Sequence, residues 1–199
     1  MEGLSELRSV LLNLSGLRDI DLSKAEKLCT LRQYSKHDYL LKQGNPSLFS
    51  GFVIKGVFRE FYTDRKGREY NKAFCFEGDF TGSYYDLNSG HPSTAAIQAL
   101  TDCSILLIDY REYKNLVDND PAWFRIDHTI VHNLLMKKLE REFQLLTLSA
   151  GERNDLLRKR NPELYDKIQD YHIASYLGIT PISFSRLRNT EKKTSRLII

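Results

Sequence analysis

The sequence predicts an α+β chain in three blocks, and three observations predict it. Short apolar and aromatic runs with turn residues between them fill residues 31–110. One long helical repeat dominates residues 121–148, and a basic, helix-patterned segment fills residues 151–199. The expected organisation is therefore residues 1–118 as a first domain, 119–150 as a long helix with a hinge, and 151–199 as a second, helical domain.

The totals agree with a chain that folds around a proper core. It has 199 residues, 41% of them hydrophobic, with 11 Tyr and 10 Phe that favour a sheet-rich part. The net charge of +3 is small, but it is unevenly placed. Residues 1–118 carry 15 Lys/Arg against 16 Asp/Glu, residues 119–150 carry 4 of each, and residues 151–199 carry 10 against 6. The positive excess thus sits in the last block, as an electrostatic footprint for phosphates requires. The three cysteines, Cys29, Cys75 and Cys103, are odd in number and lack CxxC spacing, which argues against a disulfide framework, a zinc finger or an iron–sulfur cluster. No signal peptide or membrane-length apolar run is present, so a reduced, cytoplasmic protein without a membrane partner is expected.

Along the chain, Leu4, Leu7, Leu11, Leu14 and Leu17 recur at helical spacing, and Leu22, Ala25 and Leu28 extend the helical expectation over 4–30. Strands are expected at Asp38–Lys42, Gly51–Lys55, Val57–Thr63, Glu69–Phe76, Ala95–Leu100 and Ser104–Ile108. Asp64-Arg65-Lys66-Gly67 reads as a hairpin turn, with Gly67 free to take a positive φ. Closely spaced strands of this kind make a barrel or a sandwich. Asp120 is the expected N-cap of the long helix, with Pro121 at its first position. Val131, Leu135, Leu139, Phe143 and Leu146 form a stripe on that helix, widened by Ile130 and Leu134. The stripe is too long for packing on one small domain, so it is expected to hold a second copy in a parallel, coiled-coil-like homodimer. Ser149-Ala150-Gly151-Glu152 has capping-box spacing and restarts the chain as a new helix to about Arg160, and Asn161-Pro162-Glu163 starts another.

The most specific pattern is "HIASYLGITPISFSRLRNT", residues 172–190. Asp170 is the expected N-cap of a first short helix with an apolar face of Ile173, Ala174 and Leu177. Gly178 can end it in the left-handed conformation, Ile179 can plug the corner, Thr180 can cap a second helix, and Pro181 fits that helix's first position. So short a turn makes the helices cross steeply, as in a helix-turn-helix. The second helix buries Phe184 and Leu187 and leaves Ile182, Ser183, Ser185, Arg186, Arg188 and Asn189 off the buried face. Small hydroxyl residues permit close approach to a groove, and Arg186 can pair with guanine or clamp a phosphate. Thr180, Lys192, Lys193 and Arg196 suit phosphates. Double-stranded DNA is the expected partner.

This order of parts resembles the Crp/Fnr family of bacterial transcription regulators, and the similarity covers nearly the whole chain. "AGERNDLLRKRNPEL" followed by "IASYLGITPISFSRLR" is especially similar to that family's C-terminal half. The resemblance implies that the barrel is an antiparallel β-roll, jelly-roll-like, acting as a sensor domain. It implies further that Pro181–Asn189 enter the major groove, with Arg186 at a base-contacting position, and that RNA polymerase is an additional partner. Two other base-reading positions of the family are occupied here by Pro181 and Ile182, which implies a different target sequence, and only Lys167–Tyr171 is available for the family's β-hairpin wing. "FEGDFTGSYYDLNSGHPSTAAIQALTDCSILLID" stands where the family carries its phosphate-binding cassette. By that resemblance the ribose-binding Glu is replaced by Ser83, after Gly82, and the phosphate-binding Arg by Ser93. A buried cyclic phosphate without a cation is unfavourable, so tight cAMP binding is not expected. Ser83, Ser93 and Thr94 can hydrogen-bond a ligand without supplying charge. Phe76, Tyr84 and Tyr85 either line a pocket for a less charged effector of unassigned identity or fill the roll.

No Gly-rich phosphate loop, GxSxG elbow or HExxH occurs, so no enzyme and no cofactor are expected. His128 and His132 have a spacing that can bind metal, but Thr129-Ile130-Val131 between them lack the Glu of a zinc-hydrolase helix, and they read as a surface or interface pair. The alternative to a DNA-binding regulator is a β-roll sensor that acts through protein contacts, with the helical tail as a dimer or partner module.

Overall fold

The computed structural model describes residues 3–15 and 23–196, with side chains for 3–14 and 23–190. Two short helices, α1 (Leu4–Ser15) and α2 (Ser23–Leu28), lead into the strands. These are β1 (Cys29–Tyr34), β2 (Tyr39–Leu41), β3 (Phe49–Lys55), β4 (Phe58–Thr63), β5 (Glu69–Cys75) and β6 (Phe80–Thr81), then β7 (Ala95–Ala99) and β8 (Cys103–Asp109) after the short helix α3 (Tyr84–Ser89). Helices α4 (Tyr110–Asn119), α5 (Pro121–Thr147), α6 (Ala150–Arg160), α7 (Leu164–Lys167), α8 (Asp170–Leu177) and α9 (Pro181–Arg196) complete the described chain.

The strands pair antiparallel into two four-stranded sheets, ordered β1-β8-β3-β6 and β2-β7-β4-β5. That is the expected roll. Strand alternation feeds two cores at once. Val53 and Ile105 point into the roll with Phe58, Cys75 and Ile97. Their neighbours Phe52 and Leu106 point outward, onto Leu7 and Leu11 of α1, Val117 of α4, and Trp123 and Ile126 of α5. A third core joins Val57 and Leu100 of the roll to Leu157, Leu164, Ile173, Leu177 and Phe184 of the C-terminal helices.

Several local expectations hold. Gly67 turns the β4–β5 hairpin at φ 77°. The Asp120 carboxylate accepts from the Ala122 N–H, with Pro121 opening α5. Ser149 and Glu152 form both halves of the capping box of α6. The helical expectation over 4–30 is corrected at its end, because Cys29 and Thr30 already belong to β1. Cys29 pairs with Ile108, and its buried side chain closes the outer core. Helix α3 and strands β1 and β6 carried too little periodicity in the sequence to be assigned there, whereas α4 was missed although Tyr110, Tyr113 and Val117 recur at helical spacing. Between α6 and α9, among the described residues, there is no strand: α7 runs into α8 through Ile168-Gln169, so no hairpin wing precedes the helix pair.

Candidate functional site

The helix pair is built as its residues dictate. Ile173, Ala174 and Leu177 of α8 are fully buried. Gly178 ends α8 at φ 72°, and the N–H groups of Gly178 and Ile179 both reach the Ala174 carbonyl. Thr180 Oγ1 then accepts from the Ser183 N–H at 3.1 Å and caps α9. Phe184 anchors α9 in the core and Leu187 is half-buried beside it. Pro181, Ile182, Ser183, Ser185, Arg186 and Asn189 are exposed on one continuous face of the helix.

Two expectations change here. Asp170 is the first residue of α8 and not its N-cap, which is Gln169, and it makes no side-chain cap. Its carboxylate instead takes both bonds of Arg188, at 2.5 and 2.6 Å. Arg188 was expected off the buried face, but it is half-buried in this pair and braces α9 against α8. The side chains of Lys192, Lys193 and Arg196 lie outside the described residues. Arg153 is a positioning residue that sequence reasoning missed. From α6 it donates to the Leu177 carbonyl at 2.8 and 3.1 Å and to that of Leu148, tying the end of α5 to the end of α8.

The cassette converges on an acid. Ser83 Oγ donates to Asp86 Oδ2 at 2.5 Å, Ser93 Oγ at 2.8 Å and the Thr94 N–H at 3.1 Å, while Thr94 Oγ1 reaches Oδ1 at 3.1 Å. Asp86 is 2% exposed. Burial acts to raise its pKa, but these hydrogen bonds outweigh it and hold the carboxyl below the usual value. A second buried acid lies nearby. Glu60 accepts from Thr81 Oγ1 and the Gly82 N–H and pairs with Lys72 at 3.1 Å. The expected aromatic lining is split. Phe76 packs with Phe74 against the core under α8, while Tyr84 is partly exposed and Tyr85 mostly so. Asp86 stood in the sequence between the two serines that replace a Glu and an Arg, but nothing local marked it as their shared acceptor.

The roll and the helix pair meet at β5 through polar groups that lie far apart in sequence. Arg59 is buried and donates to Gln98 at 2.6 and 3.0 Å, to Glu69 at 2.6 Å and to Asn71 at 3.2 Å. His172 Nδ1 of α8 lies 3.3 Å from the same guanidinium. Asn71 bonds the His172 carbonyl, and its N–H donates to Ser175 Oγ. Burial first, then the positive charge of Arg59 with smaller contributions from His37 and Lys36, pushes the His172 pKa down to about 4.

Helix α5 has two apolar faces. Trp123 and Ile126 are buried against the rest of the chain. Leu135, Leu139, Phe143 and Leu146 are 48–77% exposed, Phe124 extends their stripe at 59%, and Val131 is half-buried at its edge. No described helix is long and apolar enough to cross a membrane.

Residues 31–120 match the family model for the cyclic nucleotide-binding domain. The cAMP-activated global transcriptional regulator CRP of Salmonella typhimurium is 25% identical over 93 residues, 47% of this chain and 44% of that protein. The match therefore spans less than half the length of that relative. Regulatory protein YeiL of Escherichia coli O157:H7 is 22% identical over 175 residues, 83% of this chain and 76% of its own. Among solved structures, FixK2 of Bradyrhizobium japonicum superposes with a TM-score of 0.74 at 21% identity, covering 84% of this chain and 86% of that one. The match to the cyclic nucleotide-binding domain covers residues 31–120, and the order of roll, long helix and capped helix pair is a fold that the chain shares with FixK2.

Proposed function

We propose that the protein is a DNA-binding transcription regulator, a homodimer joined along α5 that places α9 of each copy in successive major grooves. The observation that carries this reading is the exposed face of α9. Ser183, Ser185 and Arg186 stand outward on a helix whose cap, turn and anchor are all satisfied from behind. The positive excess of residues 151–199 suits a phosphate backbone, and RNA polymerase is the further partner for such a DNA-bound dimer. Half-sites about 34 Å apart on a near-palindromic operator follow from the two-fold axis.

Selection of bound duplexes from a random pool by the full chain tests this. A symmetric site whose binding weakens steeply with salt is expected, and no salt-dependent duplex binding would leave a sensor that acts through protein contacts. Arg186→Ala is expected to cost about 1–3 kcal/mol on the selected site and to relax one base position. An equal loss on specific and non-specific DNA would make Arg186 a phosphate contact.

The roll serves as the sensor, and we propose that its effector is not cAMP. The groups that stand at the family's ribose and phosphate positions, Ser83 and Ser93, are both bonded to the buried carboxylate of Asp86. A phosphate there would meet a like charge. Addition of millimolar cAMP is expected to leave both melting temperature and operator affinity unchanged. A melting rise that saturates with cAMP would refute this.

A further inference from the structure

The histidine pair of α5 gains a meaning from where the helix points it. At about 3.6 residues per turn, residues eighteen apart share one line along a helix. Ile126 and Gln144, both buried, define the line that faces the rest of the chain. His128 and Leu146, two positions further on, share a line about 200° around the axis, the middle of the exposed stripe. Eleven residues make about three turns, and on that repeat Phe124 matches Leu135, His128 matches Leu139, and His132 matches Phe143. The exposed apolar stripe thus continues toward the helix N-terminus as two imidazoles. Both are exposed, and their rings lie nearly parallel, 11° apart in orientation with centroids 6.5 Å apart. The acid beside them in sequence, Asp127, is engaged by the Tyr113 hydroxyl at 2.9 Å. Among the described residues no group of three or more His, Cys, Asp or Glu is placed to hold a metal, so one chain offers half a site at most.

We infer that His128 and His132 of two copies of the chain together bind one divalent transition-metal ion, of the zinc type, across the dimer seam. The inference rests on the parallel dimer proposed above, in which a two-fold axis along α5 brings each histidine opposite its own copy. Inside an apolar seam an imidazole needs a partner for its lone pair. Four imidazoles supply a complete tetrahedral nitrogen set at about 2.0–2.1 Å, and imidazole is a ligand type that zinc, copper and nickel share. Such an ion would clip the N-terminal half of the seam, where the apolar stripe is interrupted.

Titration of the metal-free, untagged full chain with zinc chloride by calorimetry, with light scattering in parallel, tests this. Uptake of one zinc per two chains is expected, with a rise in melting temperature. The variant His128→Leu/His132→Phe copies the residues found eleven positions on, and it is expected to remain a dimer and to lose the zinc. A dimeric wild type that takes up no zinc overturns the inference and leaves the dimer standing. Uptake of one zinc per chain, or uptake that persists in the double variant, also overturns it. A monomeric wild type in the presence and absence of zinc overturns the dimer reading and the shared site with it.

Discussion

The double variant Leu135→Asp/Leu139→Glu is expected to be a folded monomer with about 10²–10⁴-fold weaker affinity for a two-half-site operator. Both residues are about half exposed in the single chain, so the substitutions cost the protomer little. In a parallel pair of α5 helices the same positions meet their own copies, and like carboxylates would be forced together in an apolar seam. The loss on DNA follows because two linked helix-turn-helices bind as one unit, and separated ones must each bind alone. Light scattering reads the mass, circular dichroism the fold and a mobility shift the affinity. A variant that stays dimeric would move the dimer contact to another face. A monomer with undiminished operator affinity would remove the two-fold axis from the DNA reading.

The second large effect concerns pH. His172 titrates near its usual 6.5 when unfolded, but its folded value is pushed down to about 4. Between those values the unfolded chain binds a proton that the folded chain refuses. The contribution of His172 to stability is therefore fully present above pH 6.5 and is lost as pH falls toward 4, about 3 kcal/mol in all. Urea unfolding between pH 7 and 4.5 should show this decline, and His172→Gln should flatten it. The low folded value of Asp86 acts in a separate window: its contribution is present above its ordinary value of 3.8 and is lost only as pH falls through the lower folded one. The same decline in His172→Gln as in wild type would assign the effect to other groups. The junction is the first place expected to open on acidification, because a protonated His172 would face the Arg59 guanidinium at 3.3 Å.

What could be read in advance was what is settled within a few residues. Gly178, Thr180 and Pro181 announce a helix stop, a cap and a restart, and Ser149 with Glu152 announces another, because each cap bonds backbone groups three or four positions away. The roll was legible as strands because alternation and turn residues are local. Strand β6 and helix α3 were not, since two and six residues carry no usable period. In the cassette, the serines at 83 and 93 were visible as departures from the family's pattern. Their joint service to Asp86 was not, because it depends on a bend that brings residues ten apart onto one carboxylate.

By itself, then, the sequence determined the kinds of parts and their order: a roll, a long two-faced helix and a capped helix pair with a polar outer face. Only the tertiary structure decided which groups meet between those parts. Arg59 and His172 are separated by 113 positions, and Arg188 and Asp170 by 18, and neither pairing leaves a trace in local spacing. The same holds for the two sides of α5. Periodicity announces an apolar helix, but only packing shows that Trp123 and Ile126 are covered while Leu135 and Leu146 are left in water. The physical reason is common to all of these. Caps and turns are satisfied by the chain's own nearest neighbours, whereas buried charges and exposed apolar stripes find partners that only the assembled fold brings near.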